Sequence, residues 1–355
     1  MINRMTVQTK QAYPVYIGSG LLAELPEYLR QILASRQLML VCDATVNRFY
    51  GDRVMNGLIK AGYHCDRFIF SAGETSKSAN ELFRLLNAMA EARLSRSDAV
   101  LALGGGVTGD LAGLAAALYM RGIDYVQLPT TLLAAVDSSV GGKTAINLAA
   151  GKNLAGAFWQ PKAVFCDTDT FSTLSDSVWQ DGLAEVIKTA LIADAQLFHR
   201  LSVRNQEQKW QEIIFRCLEI KAEIVIADER ETDRRKLLNF GHTVGHAIES
   251  CSDYTIGHGH AVAAGMWLIT KAAVQQQICA ARVLDELTDL LQFHQLQLRY
   301  PYTAEQLAAA ALHDKKRSGD CLTLVLPLQI GQCCLYPISA AELEPWLKAA
   351  LTENG

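Results

Sequence analysis

AVLALGGGVTGD, residues 99–110, decides the fold. An apolar run passes directly into three consecutive glycines, and an acid, Asp110, stands where a helix begins. A continuous apolar run closed by glycine is the pattern of a strand buried on both faces, as in a parallel sheet. Glycines at the end of such a strand let backbone N–H groups approach a phosphate, and a following helix amino terminus adds partial positive charge. The stretch lacks the G-x-G-x-x-G spacing, and no Gly-Lys-Ser/Thr follows Gly109, so it is not a P-loop. It reads as a nucleotide-phosphate loop or as a plain strand-to-helix turn.

Working outward, strand-like runs recur at 38–43, 68–70, 125–128 and 163–166, with helical patterns at 48–61 and 80–93. In the latter, Leu82, Leu85, Leu86 and Met89 share one face. Strand and helix alternating at this rhythm predict a parallel sheet covered by helices on both faces, an α/β domain. Asp43 ends one strand, suited either to a ribose hydroxyl or to a helix cap. From about residue 181 helical periodicity dominates, at 182–200, 207–228, 235–250, 258–280 and 281–293. A hairpin is expected from 322–327 and 332–336. The expected division is an α/β domain over 1–170 and an all-helical domain over 171–355, the boundary lying within 160–177.

The 355 residues carry a net charge of −4, half of them hydrophobic, with no basic field for a nucleic-acid backbone. No stretch has the roughly 18 uncharged apolar residues of a membrane span, and the first residues lack a signal-peptide core. Nine cysteines without regular spacing suggest free, mostly buried thiols in a reducing cytoplasm.

Three further constellations bear chemistry. Residues 129–147 hold hydroxyls, Asp137, a Gly-Gly turn and Lys143, and Gly151-Lys152-Asn153 repeats the Gly-Lys theme. Lysine beside flexible glycine makes a point-charge ligand for phosphate or carboxylate. Four of the eight histidines, His242, His246, His258 and His260, fall within 19 positions. Imidazole is a common divalent-metal ligand, and His242 and His246, four apart, share a helix face; spacing alone favours that pair. Glu185 and Lys188, three apart on an apolar background, and Lys221 are either solvated stripes or buried charges with partners. Arg235 and Asn239 lie on the same expected helix as His242 and His246, aligned to grip an anion.

Seven collinear blocks then resemble the 3-dehydroquinate synthases: GGGVTGD (104–110), YMRG (119–122), LPTTLL (128–133), VDSSVGGKT (136–144), GLAEVIK (182–188), NFGHTVGHAIE (239–249) and DKK (314–316). The resemblance implies an amino-terminal NAD-binding α/β domain, a carboxy-terminal helical metal domain and a homodimer. It implies conversion of 3-deoxy-D-arabino-heptulosonate 7-phosphate to 3-dehydroquinate and phosphate in the shikimate route. NAD is a recycled redox cofactor there and zinc, or cobalt, a Lewis acid.

By the same resemblance the metal ligands are Glu185, His242 and His258, which moves His246 into the substrate pocket, against the spacing. That pocket also takes Lys143, Asn153, Lys188, Lys221, Arg235, Asn239 and Lys316, the last preferred over Lys315. Arg121 reaches toward a partner subunit's site. NAD contacts fall on Asp43, Glu74, Lys77, Gly105, Gly106, Asp110, Thr130, Thr131, Asp137, Lys143, Lys152, Thr173 and Leu174. The family generally places an acid where this chain has His260, which questions carboxylate support for the metal ligands. Competing readings are another sugar-phosphate cyclase, a metal-dependent NAD polyol dehydrogenase and a non-catalytic relative.

Overall fold

The computed structural model describes residues 2–203, 209–315 (backbone alone over 313–315) and 321–352. The chain forms two compact units. The first holds Met1–Leu174 and Trp210–Ala222, the second Ser175–Lys209 and Glu223–Gly355. The expected cut at 170/171 falls close to Leu174. A single linear cut, however, cannot express the return of Trp210–Ala222 to the first unit.

The first unit contains β1 (Asn3–Val7), β2 (Tyr13–Gly18), α1 (Leu21–Ile32), β3 (Gln37–Asp43), α2 (Ala44–Val46), α3 (Asp52–Lys60) and β4 (His64–Phe70). It continues through α4 (Ala79–Glu91), β5 (Ala99–Gly104), α5 (Gly106–Leu118), β6 (Asp124–Pro129), β7 (Lys143–Leu148), β8 (Gly151–Phe158) and β9 (Ala163–Asp167). One sheet runs in the order β1-β2-β9-β6-β5-β3-β4, parallel except for the antiparallel β1–β2 pair. Alternation along β3 explains the layers. Leu38, Leu40 and Cys42 pack with α1 and α3 on one face, whereas Met39 and Val41 pack with α4 and α5 on the other. The buried Asp167, at the end of β9, caps α1 by accepting from the Gly20 and Leu22 amides at 3.0 and 2.8 Å. The lysine-rich loop is more ordered than its composition suggests, because its end forms the β7–β8 hairpin.

The second unit is built on α6 (Asp176–Ala193), α7 (Ala195–Leu201), α9 (His242–Cys251), α10 (His258–Gln275), α11 (Ala281–Phe293), α12 (Ala304–Lys315) and α13 (Leu343–Leu351). Helix α8 (Trp210–Ala227) divides between the units at Ala222. Helix α10 is apolar on every side and buried along most of its length, as a central helix must be. The hairpin expected from 322–327 and 332–336 is present in this otherwise helical unit: β10 (Cys321–Gln329) and β11 (Gln332–Ser339) pair antiparallel, with Leu322, Leu324 and Leu326 buried at strand spacing. The helix expected over 235–250 is also two elements. Arg234–Asn239 is a 3₁₀ segment, and Gly241, at φ +78°, turns the chain before α9 starts at His242. Among the described residues no helix is long and apolar enough to cross a membrane.

Cysteine usage follows the expected pattern, with Cys42, Cys65, Cys166, Cys217 and Cys279 buried and Cys321 exposed. Burial pushes the Cys42 thiol up to about 11 and that of Cys65 up to about 12. In the native protein at pH 8, a thiol reagent is therefore expected to label Cys321 at least ~100-fold faster than Cys42 or Cys65. Mass spectrometry of labelled peptides reads this, and equal rates would contradict the packing described.

Candidate active site

In the first unit, β5 delivers Gly104 and α5 opens on Gly106, so the glycine run joins a buried strand to a buried helix. The loop that follows β6 lies against it. A Cβ on Gly105 would stand 3.2 Å from the Thr131 side chain, and one on Gly106 would stand 3.1 Å from Ser138 Oγ. These glycines therefore keep the loop's backbone close to Thr131 and Ser138.

A polar network surrounds this turn. Lys77, nearly buried at 4% exposure, donates from Nζ to Asp110 Oδ2 at 2.6 Å and to Asn153 Oδ1. Asn147 joins the members: its Nδ2 donates to Glu74 Oε1 at 2.8 Å, its Oδ1 accepts from the Asn153 amide, and its own amide donates to the Lys77 carbonyl. Burial pushes the Asp110 carboxyl up while the Lys77 ammonium pulls it down. Lys221 Nζ donates to Asp137 Oδ1 at 2.7 Å and to the Asp137 carbonyl. The expected Glu74, Lys77, Asp110 and Asn153 thus meet, and so do Asp137 and Lys221. Asn147, the hub, was given no role from the sequence, because an amide between a lysine and a glycine turn carries no spacing signal.

Other expected residues stand apart from that network. Asp43 caps α2, its Oδ1 accepting from the Thr45 and Val46 amides. Thr130 is buried and its amide donates to the Gly104 carbonyl; Thr131 Oγ1 accepts from the Ala134 amide. Thr173 shares a 2.6 Å hydrogen bond with the Tyr50 hydroxyl, next to a half-buried Leu174. Lys143 is exposed and Lys152 half-buried. Arg121 is exposed within three successive positive-φ residues, Met120, Arg121 and Gly122. Lys316 lies outside the described residues.

In the second unit, α6 buries Glu185 and Lys188 at 1% exposure each, in ion-pair contact one turn apart. The two histidines that meet them are the first residues of α9 and α10. Glu185 Oε1 lies 3.6 Å from His242 Nε2 and 3.7 Å from His258 Nε2. Four donors at about 2.1 Å around a tetrahedral ion stand about 3.4 Å apart, so this trio fits a divalent cation. Among the described residues Glu185 Oε1 accepts no hydrogen bond, a costly state for a buried carboxylate oxygen that a cation would relieve, while Oε2 meets the Lys188 ammonium. His242 turns Nδ1 toward the Phe240 carbonyl at 3.1 Å, which leaves Nε2 for the ion. Burial, reinforced by the Lys188 charge, holds the His242 imidazole well below its usual range and so neutral, the form that ligates.

The spacing-based pair is corrected here. His242 and His258, not His242 and His246, flank Glu185, while the exposed His246 stands with Glu249 and His258 in a second donor group. Helical periodicity brings His246 near His242, with ring centroids 5.4 Å apart, but the Glu185 carboxylate is reached from the start of α10. His260 faces elsewhere: Nε2 lies 3.3 Å from Ser177 Oγ, and its amide donates to Asp181 Oδ1.

Arg235 and Asn239 do not continue the α9 face, because the turn at Gly241 intervenes. The buried Arg235 is held by a loop organised on Asp228, whose carboxylate accepts from the Thr232, Asp233 and Arg235 amides. Those bonds hold the Asp228 carboxyl well below the usual carboxylate range. Asn239 Nδ2 donates to Glu231, itself at φ +60°. Glu231 was missed from sequence, having no periodic or motif signal.

Comparison with known proteins matches two family models along the chain, described as 3-dehydroquinate synthase N-terminal over residues 67–181 and 3-dehydroquinate synthase C-terminal over 182–317. A 3-dehydroquinate synthase of Enterococcus faecalis is 41% identical over 342 residues, covering 95% of this chain and 96% of that protein. Among solved structures, a 2-deoxy-scyllo-inosose synthase complexed with carbaglucose-6-phosphate, NAD+ and Co2+ matches at 25% identity with a TM-score of 0.86. It covers 98% of this chain and 99% of that one. A 2-epi-5-epi-valiolone synthase from Streptomyces hygroscopicus with NAD+ and Zn2+ bound matches at 28% identity and TM-score 0.87, with the same coverage.

Proposed function

Because this chain belongs to the 3-dehydroquinate synthase family, we propose that it converts 3-deoxy-D-arabino-heptulosonate 7-phosphate to 3-dehydroquinate and phosphate. Its cofactors are NAD and a divalent metal. The observation that carries this reading is the Glu185–His242–His258 trio, in which one buried carboxylate oxygen stands 3.6 and 3.7 Å from two imidazole Nε2 atoms, a spacing that suits a cation. We assign those three as ligands and zinc as the working metal. When bound, the metal would raise the acidity of a substrate hydroxyl and NAD would take up and return one hydride.

The chain's own groups have separable tasks. The glycine turn of α5 offers backbone N–H groups and a helix amino terminus to the dinucleotide's phosphates, and the Lys77–Asp110–Asn147 network holds that turn in shape. We assign Lys188, Lys221 and Arg235, each under 8% exposed, and Lys143 to the substrate's phosphate and carboxylate. Asn153, Asn239, His246 and Lys316 complete the substrate contacts. Glu74, Asp137, Lys152, Thr130, Thr131, Thr173 and Leu174 complete those to NAD.

The reaction is a lyase step by its phosphate elimination, and its redox is internal: one oxidation and one reduction cancel. We place the enzyme in the cytoplasm as a homodimer. The exposed apolar Leu118 and Met120 beside the left-handed Arg121 support a subunit contact there.

Complementation tests the function. Expressed in a bacterium deprived of its own dehydroquinate synthase, the chain should restore growth without aromatic amino acids. Soluble, metal- and NAD-loaded protein that fails to restore growth would turn the reading toward another phosphorylated sugar.

A further inference from the structure

We propose that Glu249 is a positioning residue for His258, holding its imidazole through Nδ1 so that Nε2 is presented beside Glu185. The proposal rests on the assignment of His258 as a metal ligand. Glu249 Oε2 lies 3.3 Å from His258 Nδ1, on a side chain only 2% exposed, while Nε2 of the same ring lies 3.7 Å from Glu185 Oε1. A proton on Nδ1 donated to Glu249 leaves the Nε2 lone pair for the cation.

His242 is set in the same way, with Nδ1 toward the Phe240 carbonyl and Nε2 toward Glu185. The two orienting groups differ in charge. His242 has a neutral carbonyl and a side chain 12% exposed; His258 has a carboxylate and a side chain 32% exposed. The less enclosed ring is the one given the stronger acceptor, which both fixes its orientation and raises its basicity. Glu249 can do this because it sits two helical turns beyond His242 on α9, where the chain returns to start α10 at His258. His260 does not duplicate the role, since its ring faces Ser177.

The competing use of Glu249 is as a ligand: with His246 and His258 it forms a second group of donors within 4.8 Å. That use requires His258 to ligate two ions through both ring nitrogens, whereas a protonated Nδ1 needs only the acceptor that is present.

Zinc affinity, measured by chelator competition on the full chain, separates these possibilities. Glu249→Gln keeps the shape and loses the charge; it is expected to bind one zinc about 10-fold more weakly, and Glu249→Ala up to ~100-fold more weakly. The visible absorption band of the cobalt-substituted Gln variant should shift, which a purely structural role would not cause. Wild-type affinity within twofold and an unshifted band in Glu249→Gln, with zinc lost in His258→Ala, would overturn the positioning role alone. A second wild-type zinc that disappears in Glu249→Gln would overturn it in favour of a ligand role. Zinc retained in His258→Ala would remove the ligand assignment and the proposal with it.

Discussion

His258→Ala is expected to leave the protein without stoichiometric zinc and without measurable phosphate release. His260→Ala, two residues away, is expected to keep both in reduced measure. The structural difference is plain: the His258 ring faces Glu185, and the His260 ring faces Ser177. Removing one of three protein ligands should lower zinc affinity by more than the ~100-fold that losing an outer-shell partner costs. His260 acts, at most, through the start of α10, where its amide and the Asp181 carboxylate meet. Zinc content after dialysis, measured by atomic absorption, checks the pair. Equal loss in the two variants would refute the ligand assignment.

Gly265→Ala, which touches no donor atom, should have the second-largest effect. A Cβ there would lie 2.2 Å from the Gly241 carbonyl oxygen and 2.7 Å from the Gly245 nitrogen, backbone atoms with no rotamer to escape into. Gly245 in turn sits against Val262, so α9 and α10 cross through small residues at the depth of their backbones. Gly241 precedes His242, so forcing the helices apart moves the starts of the two elements that present His242 and His258. Overpacking of this kind costs about 2–3 kcal/mol, and ligands tolerate displacement of only about 0.5 Å. The metal-free protein should melt roughly 5–10 °C lower and bind zinc more than about 10-fold more weakly. Calorimetry and chelator competition read the two effects, and unchanged values would show that the crossing is looser than described.

The fold was largely legible because parallel strands buried on both faces leave short apolar runs that nothing else explains. The runs at 38–43, 99–103, 125–128 and 163–166 fall within or on β3, β5, β6 and β9. Strand β1 gave no such signal: it alternates polar and apolar residues, as an edge strand does. Helix periodicity found α9 but ran through Gly241, since an isolated glycine reads equally as a tolerated helix residue and as a left-handed stop. That one ambiguity misplaced Arg235 and Asn239 on the His242 face.

Site chemistry was legible in kind but less so in arrangement. Histidine density pointed to a metal, yet spacing within one helix favoured His246, while the carboxylate is met from the first turns of two helices. Resemblance supplied His258, which spacing alone does not. Glu249, Asn147 and Asp228 stayed invisible because their work is to hold other residues. Only three-dimensional proximity shows a carboxylate behind an imidazole or an asparagine joining three backbone and side-chain groups.

The most direct test of the central claim is inorganic phosphate release from 3-deoxy-D-arabino-heptulosonate 7-phosphate, with NAD and zinc each supplied or withheld. Release that requires both, with no net accumulation of NADH, is the predicted result. No release by fully metallated, NAD-bound protein, or NADH accumulating in step with turnover, would contradict it.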